Sequence, residues 1–107
     1  MTLMPAYWVA HAKINNAVEY KKYTDQIPSI IAKYGGKVLA RGGNYKINEG
    51  GPEFQQFHRH VVIEFPTMEK AVACFESKEY QDAAAFRRAD GAGVVLNVVV
   101  DGGDATK

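Results

Sequence analysis

The segment Val94-Val95-Leu96-Asn97-Val98-Val99-Val100 constrains this chain more than any other. Apolar and mostly β-branched, it reads as a strand. Side chains alternate across a strand, so Val94, Leu96, Val98 and Val100 share one face, and Val95 and Val99 flank Asn97 on the other. A sheet wetted on one side would alternate apolar with polar. This strand does not, so its sheet needs cover on both faces.

The elements around it follow from local chemistry. Residues 6 to 14, Ala-Tyr-Trp-Val-Ala-His-Ala-Lys-Ile, form a first strand, and Asn15-Asn16 offers a helix N-cap. Tyr20, Tyr23, Ile27, Ile30, Ile31 and Tyr34 then recur at helical spacing. Pro28 removes a donor inside that stripe, which predicts a kink or a break around Gln26-Ile27, and Gly35 closes the helix. A second strand is expected over 37 to 47, punctuated by Gly42-Gly43, then a long hairpin loop from Asn48 to Phe57. Residues 58 to 65 give the third strand, with Val61, Ile63 and Phe65 on the face turned to the helices and His58, His60, Val62 and Glu64 on the other. Thr67 caps a helix whose buried stripe is Met68, Ala71, Val72 and Phe75. Ser77 caps the next, through Tyr80, Ala83, Ala84 and Arg87. Gly91 and Gly93 end it before the fourth strand, 94 to 100, and Asp101 to Lys107 is expected to fray.

The order β-α-β-β-α-β, with right-handed crossovers, implies a ferredoxin-like α+β fold: a four-stranded antiparallel sheet with its helices on one face. At 107 residues the chain makes one domain, 1–107, with its core from about 6 to 100. The uncovered sheet face then points to a homodimer. Burying ~600 Å² of apolar surface per subunit would contribute ~15 kcal/mol gross, before association costs.

Charge and composition exclude several classes. Thirteen basic residues against twelve acidic ones leave +1, which disfavours nucleic acid and anionic membranes as partners. No apolar run approaches the ~20 residues needed to span a bilayer, and the N-terminus lacks the parts of a signal peptide. Cys74 is the single cysteine, which suits a reducing compartment. A cytoplasmic, bacterial-type protein is the expectation.

Several blocks in order carry a resemblance over about residues 6 to 100: Ala6-Tyr7-Trp8, Glu19-Tyr20 with Tyr23, Ile30 to Gly36, Arg41-Gly42-Gly43, Ile63-Glu64-Phe65-Pro66 and Ser77 to Gln81. The chain resembles the bacterial family catalogued as domain of unknown function 1330. That resemblance implies the dimeric α+β barrel superfamily, in which two ferredoxin-like subunits pack sheet on sheet. Relatives in the superfamily include cofactor-independent monooxygenases, haem-degrading enzymes, chlorite-handling haem proteins and small isomerases, commonly with a cavity between sheet and helices. The longer loop from Asn44 to Arg59, with Phe54 and Phe57, departs from the family pattern and is expected to alter the cavity mouth.

Among polar residues, Arg41 is the sharpest candidate. A guanidinium on a strand beside Gly42-Gly43 could hold a carboxylate or phenolate bidentately, or pair locally with Glu64. Glu64, mid-strand, needs a partner or acts as a base. His58 and His60 share a strand face with Glu64, and His11 joins them from a neighbour; His-x-His is also a possible metal pair. Tyr23 and Tyr80 carry phenols that need partners when buried. Arg87-Arg88 fits the negative end of a helix dipole. No Cys-His or Ser-His-Asp arrangement is legible, and no cofactor is expected.

Three readings stay open. In the first, the chain is a small-molecule-binding dimer, or a cofactor-independent enzyme of monooxygenase or isomerase type, acting on a small aromatic or carboxylate metabolite. Its pocket would be lined by Arg41, Glu64, His11, Tyr23, Tyr80 and His60. The second is a haem- or metal-binding protein, the third a non-catalytic dimeric module.

Overall fold

The structure is a computed structural model describing residues 4–103. Its elements are β1 (Ala6–Ile14), α1 (Ala17–Thr24), α2 (Ile27–Lys33), β2 (Lys37–Ala40), β3 (Arg59–Phe65), α3 (Met68–Glu76), α4 (Lys78–Arg88) and β4 (Gly93–Asp101). Short 3-10 turns lie at Phe54–Gln56 and Ala89–Gly91. The four strands form one antiparallel sheet in the order β2-β3-β1-β4, which is the ferredoxin-like arrangement. None of the described helices is long and apolar enough to cross a membrane.

Local signals set the helix boundaries. The side chains of Asn16, Thr67 and Ser77 each accept a hydrogen bond from the backbone N–H three residues on, at 3.2, 3.1 and 3.1 Å. The apolar stripe from Tyr20 to Tyr34 breaks into α1 and α2, with Pro28 in the first turn of α2, where its missing N–H costs nothing. Gly35, at φ 81°, closes that arm in the left-handed region.

Strand parity sorts the core. Ala6, Trp8, Ala12, Ile63 and Phe65 are buried with Tyr20, Tyr23, Ile30, Ile31, Ala71, Cys74 and Tyr80. Trp8 is the hub, with ring centroids 5.8 Å from Phe65, 5.7 Å from Phe75 and 5.2 Å from Tyr80. On the opposite face Val94, Leu96, Val98 and Val100 are exposed, as the two-sided strand pattern requires.

Three expectations need correction. The second strand stops at Ala40 rather than 47, because a register shift between Val38 and Ala40 disrupts its ladder just before Arg41-Gly42-Gly43. Arg41 therefore sits beyond the strand. Met68 is 37% exposed and leaves the buried face of α3 to Ala71 and Cys74. Asp101 still belongs to β4, whereas the rest of the expected frayed tail from residue 104 lies outside the described residues.

The two glycine pairs differ in what they do. A Cβ on Gly36 would lie 2.5 Å from Ile31 Cγ2 and 2.9 Å from Phe65 Cε1, whereas one on Gly42 meets nothing within 4 Å. Gly36→Ala should therefore cost about 1–3 kcal/mol by overpacking, seen as a Tm lowered by at least about 5 °C, with Gly42→Ala within about 0.5 kcal/mol of wild type. Thermal melts followed by circular dichroism check both; equal effects would refute the assignment.

Candidate functional site

A cavity of about 260 Å³ lies between the sheet and the α1–α2 arm. Its walls are apolar and aromatic: Trp8, Ala10 and Ala12 from β1, Tyr20 and Tyr23 from α1, Ile31 from α2 and Ile63 from β3. Two charged side chains line it, Arg41 and Arg59, and no carboxylate does. Both arginines also line an adjoining recess of about 320 Å³ with Gly42, Gly43, His58 and His60. Among the described residues neither arginine makes an ion pair.

Behind the cavity wall is a buried polar cluster. The Tyr23 and Tyr80 hydroxyls lie 2.9 Å apart, and Arg87 Nη2 donates to the Tyr80 oxygen at 3.3 Å. The Arg87 guanidinium carbon also sits 5.0 Å from the Tyr23 ring centroid, over the ring. Tyr80 is 0% exposed and Arg87 5%, yet among the described residues no carboxylate accompanies the cation and Arg87 Nε has no partner. Burial pushes the Tyr23 phenol well above its ordinary value, and the Tyr80 neighbour adds to the shift. Burial alone would weaken the Arg87 cation; the Tyr80 hydrogen bond and nearby phenol oxygens outweigh it, so its pKa is raised.

The remaining candidates occupy the other face of the sheet. His11 Nδ1 and His60 Nδ1 are 2.8 Å apart, so one imidazole donates to the other. Desolvation, then the His60 charge, lowers the His11 pKa. Tyr45 and Phe54 of the long loop pack on these rings, with centroids 4.7 Å from His60 and 5.3 Å from His11. The loop thus turns Tyr45 and Phe54 onto the open face, while Arg59 at its end lines the cavity. Glu64 accepts from the Tyr7 hydroxyl at 3.2 Å, and this bond, followed by burial, raises the Tyr7 pKa.

The sheet therefore divides the six candidates. Arg41 and Tyr23 line the cavity, Tyr80 stands behind Tyr23, and His11, His60 and Glu64 lie on the opposite face, with Arg41 and His60 sharing the adjoining recess. The alternative Arg41–Glu64 pairing does not form: among the described residues Arg41 makes no ion pair, and Glu64 accepts from Tyr7. His58 is exposed, and His60 spends Nδ1 on His11 while its Nε2 is buried. Among the described residues no three His, Cys, Asp or Glu side chains gather as a metal set. Cys74 is buried, and burial raises its thiol to about 11, far from a reactive thiolate. Two residues were missed by sequence reasoning, Arg59 and Arg87. The spacing of Arg87 from Tyr80, Ala83 and Ala84 places it on their helix face, which was the available signal.

Residues 5–102 match the family described as Domain of unknown function (DUF1330). The chain belongs to that family. No curated protein matches it. Among solved structures, the DUF1330 chain is similar to RPA0582, a protein of unknown function from Rhodopseudomonas palustris, at TM-score 0.74 and 16% identity, covering 94% of this chain and 84% of that one. It is similar to SnoaB, a cofactor-independent oxygenase from Streptomyces nogalater, at TM-score 0.62 and 9% identity, covering 95% and 96%. A dimeric protein of unknown function with a ferredoxin-like fold from Bacteroides fragilis matches at TM-score 0.58 and 12% identity, covering 91% and 95%. At these identities the likeness is one of fold.

The polar cluster of this DUF1330 chain makes a stability prediction of unusual sign. Removing the Tyr80 hydroxyl by Tyr80→Phe strips Arg87 of its hydrogen-bonded partner and should cost about 1–3 kcal/mol. Arg87→Met replaces the buried cation with an apolar chain of similar length and should be neutral or stabilising. Urea melts of both variants decide this; strong destabilisation by Arg87→Met would mean that the cation holds the fold together.

Proposed function

We propose that this protein is a homodimeric small-molecule-binding protein whose cavity takes a small aromatic ligand bearing a carboxylate. One observation carries the reading: an aromatic-walled cavity has two arginines in its lining and, among the described residues, no acid to neutralise them. Trp8, Tyr20 and Tyr23 offer flat apolar surface, and a guanidinium matches a carboxylate bidentately. The cavity lies at the small end of ligand-site volumes, which favours a ligand of one or two rings. Cofactor-independent enzyme chemistry on the same ligand class is the extension that SnoaB suggests, by fold analogy.

A thermal-shift titration with benzoate, against benzamide and benzyl alcohol, tests the ligand class. A ligand at a hundred times its Kd adds ~2.7 kcal/mol of stability, so benzoate should raise Tm by several degrees and its neutral analogues should not. Arg41→Ala should weaken benzoate at least about tenfold, the scale of losing a hydrogen bond to a charged group. Equal shifts by all three compounds, or an unchanged Arg41→Ala, would overturn the reading.

The partner in this proposal is a second copy of the chain, seated on the open sheet face. Val94, Leu96, Val98 and Val100 form an exposed apolar row along β4, with Leu39 exposed on β2, and a contiguous patch of this kind marks an interface. The dimeric B. fragilis protein of like fold supports the same assembly. Light scattering should give a dimer for wild type at micromolar concentration and a monomer for Val98→Lys, whose charge would have to be buried in the interface. A monomeric wild type would sink the assembly.

A further inference from the structure

We infer that the Tyr23 hydroxyl is the ligand-facing end of a directed hydrogen-bond chain that starts at Arg87, and that it donates to a carbonyl, enolate or phenolate oxygen of the molecule in the cavity. The inference rests on the ligand reading above and deepens it: the ligand carries a second oxygen group besides its carboxylate.

The direction of the chain follows from counting protons. A phenol has one proton to give and two lone pairs to receive. The Tyr80 oxygen accepts from Arg87 Nη2 at 3.3 Å, and its only other side-chain partner among the described residues is the Tyr23 hydroxyl, 2.9 Å away. Tyr80 is 0% exposed, so water is not an alternative. Its proton has one destination, the Tyr23 oxygen. The proton of Tyr23 is then left without an acceptor among the described residues, on a side chain that lines the cavity. An acceptor there would complete the chain.

The charge at the far end gives the chain its strength. Arg87 is a buried cation with no carboxylate partner among the described residues, and hydrogen bonds in series polarise one another in a low-dielectric setting. Each donor held by the one behind it becomes a better donor, and it is oriented before any ligand arrives. Burial keeps the Tyr23 phenol protonated through the neutral range, so it serves as a donor and not as a base. Tyr23 would touch the ligand; Tyr80 and Arg87 are positioning residues acting through it.

A chromophoric probe with both groups, 4-hydroxy-3-nitrobenzoate, makes the test direct, because its phenol changes absorbance on ionising. A donor to the phenolate favours the charged form, so binding should lower the phenol pKa by about one unit, a tenfold change in ionisation constant. Tyr23→Phe, which deletes one oxygen, should abolish that part of the shift while leaving carboxylate affinity in place. Arg87→Met should reduce it and Arg87→Lys should restore part of it, a pattern that a packing role alone would not give. 3-Nitrobenzoate, lacking the phenol, should bind wild type and Tyr23→Phe alike. If the probe binds through Arg41 but its pKa shift is the same in wild type and Tyr23→Phe, the chain is refuted and the ligand reading stands. If neither nitrobenzoate binds wild type, both fall.

Discussion

The cavity exists because the central strand is small where it faces the helices. β1 is flanked on both sides, by β3 and β4, so its side chains set the depth of the layer between sheet and helices. On that face it presents Ala6, Trp8, Ala10 and Ala12. Trp8 fills one end with Phe65, Phe75 and Tyr80. Beyond it Ala10 and Ala12 leave space that the α1–α2 arm roofs over without filling. Interiors are otherwise packed as densely as organic crystals, so a void of this size reflects the choice of residues at those positions.

The same alternation that builds the core decides which polar residues can cooperate. A one-residue step along a strand moves a side chain to the other face, and a sheet transmits no hydrogen bond between its faces. Trp8 and His11 are three residues apart and lie on opposite sides; so do Ile63 and Glu64. His11, His60 and Glu64 therefore belong to the face proposed for the second subunit, where the Tyr45 and Phe54 rings already cover the imidazoles. What His11 and Glu64 contribute bears on that surface, while His60 also lines the recess that Arg41 and Arg59 share with the cavity.

Much of this was legible from residue pattern. The strand parity of β3 and β4, the Asn16, Thr67 and Ser77 caps, the break at Pro28 and the turn at Gly35 all rest on chemistry that acts within a few residues. The shortened β2 was not legible, because its end depends on a register shift against β3, a partner about twenty residues away. The grouping of the site residues failed for a related reason. Strand parity had already put His58, His60 and Glu64 on one face, but placing Arg41 with them required the strand to run on past Ala40.

Arg87 shows a different limit, and its energetics bear on what the cluster is for. By type an arginine is expected at the surface, and its neighbour Arg88 behaves so, donating from an exposed position to Gln81 at 2.7 Å. By position Arg87 belongs to the buried face with Tyr80, Ala83 and Ala84. An apolar side chain of similar length would satisfy that position without desolvating a charge or orphaning Nε. What the cation does supply is an end to the sequence Arg87–Tyr80–Tyr23, because a guanidinium can only donate. Together with the full burial of Tyr80, which leaves its proton only the Tyr23 oxygen among the described residues, that constraint favours one direction for two facing phenols whose protons could otherwise point either way. A tyrosine pair with no direction would be a packing motif; anchored by Arg87, it presents one specified donor to a cavity whose other polar groups are positive.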